Sequence, residues 1–166
     1  MGNTADNLKH AFAGESEAST TYRAFARKAD QEGNPQVARL FRAASAAEVV
    51  HARNHLEVMA GVKTTEENLK TAISGENSEH VSMYPDFIEE AKKDGNAKAE
   101  RTFEYARKVE IIHEGLYQSA LKGLGAGKAE AVDYYVCQVC GNTVEQQAPE
   151  KCPICGAPKA QFLKVD

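Results

Sequence analysis

The sequence predicts an all-α four-helix bundle followed by a small C-terminal domain of short β-strands and turns. Three observations predict it. Up to about residue 122 the chain is rich in Ala, Glu, Lys and Arg, which are strong helix formers. Within that stretch apolar residues recur at helical spacing in four segments separated by Gly, Asn and Pro. After residue 133 the character changes to short β-type runs, prolines and paired cysteines. At 166 residues the chain has room for one ordinary domain and a small appendage.

The punctuation orders the elements. A first helix is expected over 4–32, closed by Gly33, and Asn34-Pro35 then opens a second over 35–60, closed by Gly61. Thr65 can cap a third over 66–94, bent at Pro85. Gly95-Asn96 separates it from a fourth over 96–122, which Gly123 stops. Each helix would be roughly 40 Å long at 1.5 Å per residue. The expected domains are therefore a bundle over 1–123, a linker of small residues over 124–133 and a tail domain over 134–166.

Composition excludes several classes. Apolar content of 42% with 27% charged residues is that of a globular protein, and no run approaches the roughly 18 apolar residues of a membrane span. A net charge of −4 gives no attraction to nucleic acid or anionic lipid. The opening "MGNTADNLKHAF" lacks an apolar signal core, and Asp6 stands where myristoylation needs Ser or Thr, so the expected location is cytoplasmic.

The helical faces carry the chemistry. Glu15 lies on a stripe with Leu8, Phe12, Tyr22 and Ala26; Glu48 and His51 lie on one with Val37, Leu40, Phe41 and Val58. Glu76 and Glu79 share a stripe with Leu69, Ile73 and Phe87, and Glu110 and His113 share one with Phe103 and Tyr117. No stripe holds a Lys or Arg. Five inward carboxylates and two imidazoles without an inward cation require positive charge from elsewhere, and divalent metal supplies it. The pattern is repeated: Glu15 to Glu76 is a shift of 61, whereas Glu48 to Glu110 and His51 to His113 are shifts of 62. Two helices giving one Glu each and two giving Glu-x-x-His is the ligand pattern of dinuclear carboxylate bundles. Oxygen-rich sites with one imidazole per metal suit iron or manganese better than zinc.

In the tail, Cys137-x-x-Cys140 and Cys152-x-x-Cys155 have the spacing of a tetrahedral four-thiolate site for iron or zinc. A Gly follows each pair, at 141 and 156. The tail is not basic, which argues against a nucleic-acid-binding ribbon.

Taken together, "AFAGESEA" around Glu15, "SGENSE" and "MYPDF" around Glu76 and Glu79, and "YVCQVC" and "CPICGAP" in the tail closely resemble rubrerythrin over essentially the whole chain. The resemblance implies a ferritin-like bundle with a non-haem di-iron centre, followed by a rubredoxin-like domain with one iron bound by four cysteines, zinc being a possible substitute. Carried onto this chain, the di-iron ligands are Glu15, Glu48, His51, Glu76, Glu79, Glu110 and His113, with Glu48 and Glu110 bridging. Glu79 and His51 would alternate at one iron as the redox state changes. The tail ligands are Cys137, Cys140, Cys152 and Cys155. Tyr22 and Tyr84 match tyrosines that flank the di-iron site, while His10, His55 and His80 match no ligand.

The resemblance further implies a peroxidase that reduces hydrogen peroxide to water, with electrons passing from NAD(P)H through a separate reductase or rubredoxin to the tail iron. A ferroxidase or iron-handling bundle is the alternative within the fold, and a non-enzymatic bundle with a structural zinc tail is the alternative outside it. A homodimer or higher assembly is expected, for two reasons. The tether beyond Gly123 is short against the roughly 20 Å from Glu110 to that helix end, so the tail would dock on a partner. The better-known family pattern has a long crossover between helices 2 and 3, where this chain has only "GVKTT". Either the bundle is then a simple up-down-up-down pair of hairpins in one chain or, as the family's ligand arrangement favours, helix pairs are exchanged between chains.

Overall fold

A computed structural model describes residues 3–127 and 131–165. Residues 128–130, inside the expected linker, lie outside the described residues. The chain divides into two compact units, one holding the first two helices and the other everything from Thr64 onward.

In the first unit α1 (Thr4–Gln31) begins where the Asn3 side chain accepts the backbone N–H of Asp6 at 3.0 Å. Gly33, at φ +75°, turns the chain, and Pro35 opens α2 (Pro35–Val58) at a position that lacks an intrahelical donor requirement. The two helices meet through small residues, with Ala26, Ala29, Ala38 and Ala52 all buried. The buried Ser45 hydroxyl donates to the Ser19 carbonyl at 2.8 Å and ties α2 to α1. Tyr22, Phe25 and Phe41 form an aromatic cluster with ring centroids 5.5 to 6.3 Å apart. The left-handed residue that ends α2 is Ala60, at φ +53°, rather than the expected Gly61. Gly61 follows one step later, where its N–H bonds the Leu56 carbonyl at 2.9 Å and a Cβ would push the end of the Leu56 side chain aside.

The second unit repeats this hairpin. A capping box joins Thr64 and Glu67 at the start of α3 (Thr65–Ser78), so the cap is one residue earlier than expected. The third expected helix is not continuous: a π turn at Glu79–Met83 separates α3 from α4 (Tyr84–Lys93), and Pro85 sits in the tolerant first turn of α4. Gly95 at φ +64° and Asn96, which accepts the Ala99 N–H at 3.1 Å, then open α5 (Ala97–Gly125). This helix runs through Gly123, because one glycine in a good helix costs only about 1 kcal/mol. Tyr84, Phe87 and Phe103 form a second aromatic cluster, with centroids 5.6 to 6.3 Å apart.

The tail carries β1 (Tyr134–Cys137), β2 (Thr143–Glu145) and β3 (Phe162–Val165) in one antiparallel sheet of order β2-β1-β3. Its core is Cys137, Cys152 and Ala157, with Ile154 and Phe162 packed against them. Several residues expected to face inward are exposed: Val37, Leu40, Val58 and Phe87. Periodicity identifies an apolar face but not what covers it. No helix among the described residues is long and apolar enough to cross a membrane.

Candidate metal centres

Each hairpin gathers one carboxylate–imidazole cluster. In the first, α1 supplies Glu15 and α2 supplies Glu48 and His51, whose i, i+3 spacing puts both on one face. His51 Nδ1 lies 2.8 Å from Glu48 Oε2 and 3.9 Å from Glu15 Oε1. In the second, α3 supplies Glu76 and α5 supplies Glu110 and His113. His113 Nδ1 lies 2.7 Å from Glu110 Oε2 and 4.0 Å from Glu76 Oε1, nearly the same geometry. The accessibility differs, since the His51 side chain is 54% exposed and that of His113 is 26%.

The second cluster is electrostatically loaded. Burial, then the hydrogen bond and the charge of Glu110, push the Glu76 carboxyl up to about 7. Burial and the same Glu110 charge raise Glu79, and burial followed by the charge of Glu110 raises the Tyr84 hydroxyl. None of Glu15, Glu48, Glu76, Glu79 or Glu110 is ion-paired with Lys or Arg among the described residues. Carboxylates crowded together without an inward cation, one of them pushed up to about 7 by burial and its neighbour, make a site that wants a cation, so the donor set fits divalent metal. Glu79, on the π turn, lies outside the tight second cluster. Tyr22 and Tyr84 sit in equivalent aromatic clusters, one per hairpin.

The π turn explains a detail of the repeat. Phe12 pairs with Ile73 and Glu15 with Glu76 at a shift of 61, but Tyr22 pairs with Tyr84, Phe25 with Phe87 and Ala29 with Ala91 at 62. One residue has been inserted between, and a π turn is how a helix absorbs one extra residue while keeping both ends in phase. The cross-helix tie changes accordingly. Where Ser45 reaches the Ser19 carbonyl in the first hairpin, Arg107 Nε donates to the His80 carbonyl at 3.0 Å in the second. His80 itself bonds Glu114 at 2.6 Å, and Asn77 and Gln118 also donate to that carboxylate. Of the three histidines that match no ligand, none joins a cluster of potential metal ligands among the described residues.

The four cysteines converge. Cys137 and Cys155 Sγ are 3.7 Å apart and Cys140 and Cys152 Sγ are 3.6 Å apart. A tetrahedral metal with bonds of about 2.3 Å to sulfur needs sulfurs roughly 3.8 Å apart, so the donors fit. Two matching turns hold them: Gly141 N–H bonds the Cys137 carbonyl at 2.8 Å and Gly156 N–H that of Cys152 at 2.9 Å, with φ of +81° and +78°. Burial raises the Cys140 and Cys155 thiols. At Cys152 burial also acts upward, but the backbone N–H groups of Cys155 and Ile154, with neighbouring thiols, outweigh it and bring the thiol down to about 7. The fully buried Asn142 adds its Nδ2 at 3.7 Å from Cys152 Sγ, while its Oδ1 has no partner among the described residues.

The tail meets α5 of its own chain. In the same chain Thr143 Oγ1 lies 2.9 Å from His113 Nε2, and Gly141 sits against the buried Val109 of α5. The tether length leads to the expectation of docking on a partner, whereas these two contacts lie within one chain. Thr143 and Asn142 had no signal in the sequence, since each acts through a contact made only on folding.

The Rubrerythrin family model matches residues 6–121, and the model described as the rubredoxin-like domain of rubrerythrin matches 135–163. The chain is 36% identical to rubrerythrin-2 of Clostridium acetobutylicum, covering 96% of this chain and 95% of that one. It is 35% identical to nigerythrin of Nitratidesulfovibrio vulgaris, covering 98% and 86%. Among solved structures, fully reduced, all-ferrous nigerythrin superposes with a TM-score of 0.59 at 34% identity, covering 99% of this chain and 88% of that one. The clusters of Glu and His and of Cys correspond to the di-iron and rubredoxin-like centres of such proteins. With both parts matched in order over nearly its full length, the chain belongs to the rubrerythrin family.

Proposed function

We propose that this protein is a non-haem di-iron peroxidase that reduces hydrogen peroxide to water in the cytoplasm, receiving electrons through its C-terminal four-cysteine iron from a reductase or rubredoxin fed by NAD(P)H. The observation that carries the reading is the His113–Thr143 contact, which joins a carboxylate–imidazole cluster to a four-thiolate cluster. A storage bundle has no use for such a link. Loaded with iron, the bundle centre would supply the two electrons that cleave the O–O bond, and the tail centre would return them singly. Residues 1–123 act as the bundle, 124–133 as tether and 134–166 as electron carrier.

The residues divide the work. Glu15, Glu48, His51, Glu76, Glu79, Glu110 and His113 would hold the metals, Glu48 and Glu110 being shared by the two. Carboxylates of this set that change coordination would make room for peroxide and pass protons to the leaving hydroxide. His113 is anchored through Nε2, whereas His51 is half-exposed with no partner for its Nε2 among the described residues. That asymmetry suits an exchange in which His51 yields to Glu79. Tyr22 and Tyr84 close the apolar ends of the site.

The two ligand sets are brought together between chains, in a homodimer with exchanged helix pairs. A ferritin-like bundle needs one long crossover connection. From His51 to Ala60 and from Thr65 to Glu76 the helices extend about 14 and 17 Å from the site, so a parallel crossover must span about 30 Å. Five peptide steps from Ala60 to Thr65 reach at most about 18 Å. The exposed Val37, Leu40 and Val58 give the first hairpin an apolar face for the partner to cover.

The functional reading is tested with Cys152→Ser. The prereduced variant should consume one equivalent of peroxide per di-iron centre as fast as wild type, then stop. Steady turnover at the wild-type rate would mean that electrons do not pass through the tail.

A further inference from the structure

We propose that Thr143 is a positioning residue for the bundle centre: its hydroxyl fixes the His113 imidazole with Nδ1 toward the metal side, and seats the four-cysteine domain against that histidine. The inference rests on reading Glu76, Glu110 and His113 as ligands.

Proton accounting on the hydroxyl supports it. Thr143 Oγ1 is 3.2 Å from the Gly141 carbonyl and 2.9 Å from His113 Nε2. A carbonyl can only accept, so the hydroxyl proton goes to Gly141 and the oxygen is left to accept from Nε2–H. With the ring proton on Nε2, the lone pair of Nδ1 faces the carboxylates of Glu110 and Glu76, where a metal needs it. In the other tautomer the hydroxyl would have to donate to Nε2, leaving the Gly141 carbonyl without that donor and closing Nδ1 with a proton. Without metal the Glu110 carboxylate, which can only accept, takes a donor from Nδ1 at 2.7 Å. With a metal in place of that proton, only the first arrangement satisfies both the Gly141 carbonyl and the Thr143 oxygen and leaves Nδ1 open.

The same contact sets a path. Cys140 and Thr143 are three residues apart on one turn, and Asn142 between them touches Cys152 Sγ. From Cys140 to His113 the route is therefore covalent backbone and side chain broken by one hydrogen bond. His51, the equivalent residue of the first hairpin, has no such partner among the described residues. The two imidazoles are thus assigned different parts: His113 is the fixed ligand on the electron-entry side, and His51 is the movable one.

The test compares Thr143→Val, which keeps the shape and removes the hydroxyl, with Thr143→Ser, which keeps the hydroxyl. Both are made in the full chain. In zinc-loaded protein, imidazole nitrogen-15 NMR should show His113 protonated at Nε2 with a hydrogen-bonded shift in wild type and Thr143→Ser, and that shift should be lost in Thr143→Val. In iron-loaded protein, one-electron transfer from the reduced tail to the oxidised bundle centre is followed by the return of ferric thiolate colour. It should slow about tenfold in Thr143→Val and stay within about threefold of wild type in Thr143→Ser. A valine variant that matches wild type in both measurements overturns the proposal. So does a serine variant as slow as valine, which would assign the effect to the methyl group's packing. Absence of any transfer in wild type would count against the peroxidase reading instead, and the NMR comparison would still decide the role of Thr143.

Discussion

The two helical hairpins are near copies with two important differences between them. Both set a Glu against a Glu-x-x-His, with imidazole–carboxylate distances of 2.8 and 2.7 Å. Both stack a Tyr and two Phe at the same relative positions, and both turn on a glycine with positive φ. The second hairpin alone carries an inserted residue, absorbed as a π turn that bears Glu79. Position 18, one repeat of 61 before Glu79, is Ala18. The second hairpin alone also has its histidine bonded to the tail. A repeated scaffold thus holds the ligand geometry twice, and one insertion plus one contact make the two metal positions unequal.

Removing a ligand shared by both positions should have the largest effect. Glu110→Ala is expected to lose the bundle iron and at least about a hundredfold in peroxide turnover, while the four-cysteine colour is unchanged. Metal analysis beside the visible spectrum reads both, and full iron content with normal turnover would remove Glu110 from the site.

A smaller effect sharpens the comparison by making the second hairpin resemble the first. Deleting the exposed Val81 should convert the π turn to plain α-helix with both flanking segments still in phase. Circular dichroism should show an intact helical fold with stability within about 1 kcal/mol of wild type. Turnover should fall about tenfold as Glu79 is turned away from Glu110. Loss of the fold would mean that the extra residue is structural rather than an insertion serving the site.

Much of this was legible in the sequence, for identifiable reasons. The stripes at helical spacing locate α1, α2 and α5 and the joint span of α3 and α4, though not the π turn between those two, and the absence of Lys and Arg from the stripes exposes the unbalanced carboxylates. The cysteine spacing located the tail centre. The change of shift from 61 to 62 was also visible, yet its meaning as a π turn depends on hydrogen bonding that composition does not encode. The sequence puts the end of α2 on Gly61 because glycine is the usual left-handed residue, whereas Ala60 takes that conformation and Gly61 meets Leu56 instead. Thr143 could not be read at all, since "CGNT" marks a turn and says nothing of the histidine it touches. The exposed Val37, Leu40 and Val58 show the same limit, because an apolar face is a local property and its cover is not.

The central claim is that one ligand set from each hairpin combine across two chains into a single di-iron site. Co-expression of Glu48→Ala chains with Glu110→Ala chains, followed by isolation of the mixed dimer, tests it most directly. With exchanged hairpins, one site in the mixed dimer inherits both lesions and the other inherits none. The mixed dimer should therefore hold about half the bundle iron of wild type, while each variant alone holds close to none. A mixed dimer as empty of bundle iron as its parents would contradict the account, placing both halves of each site within one chain.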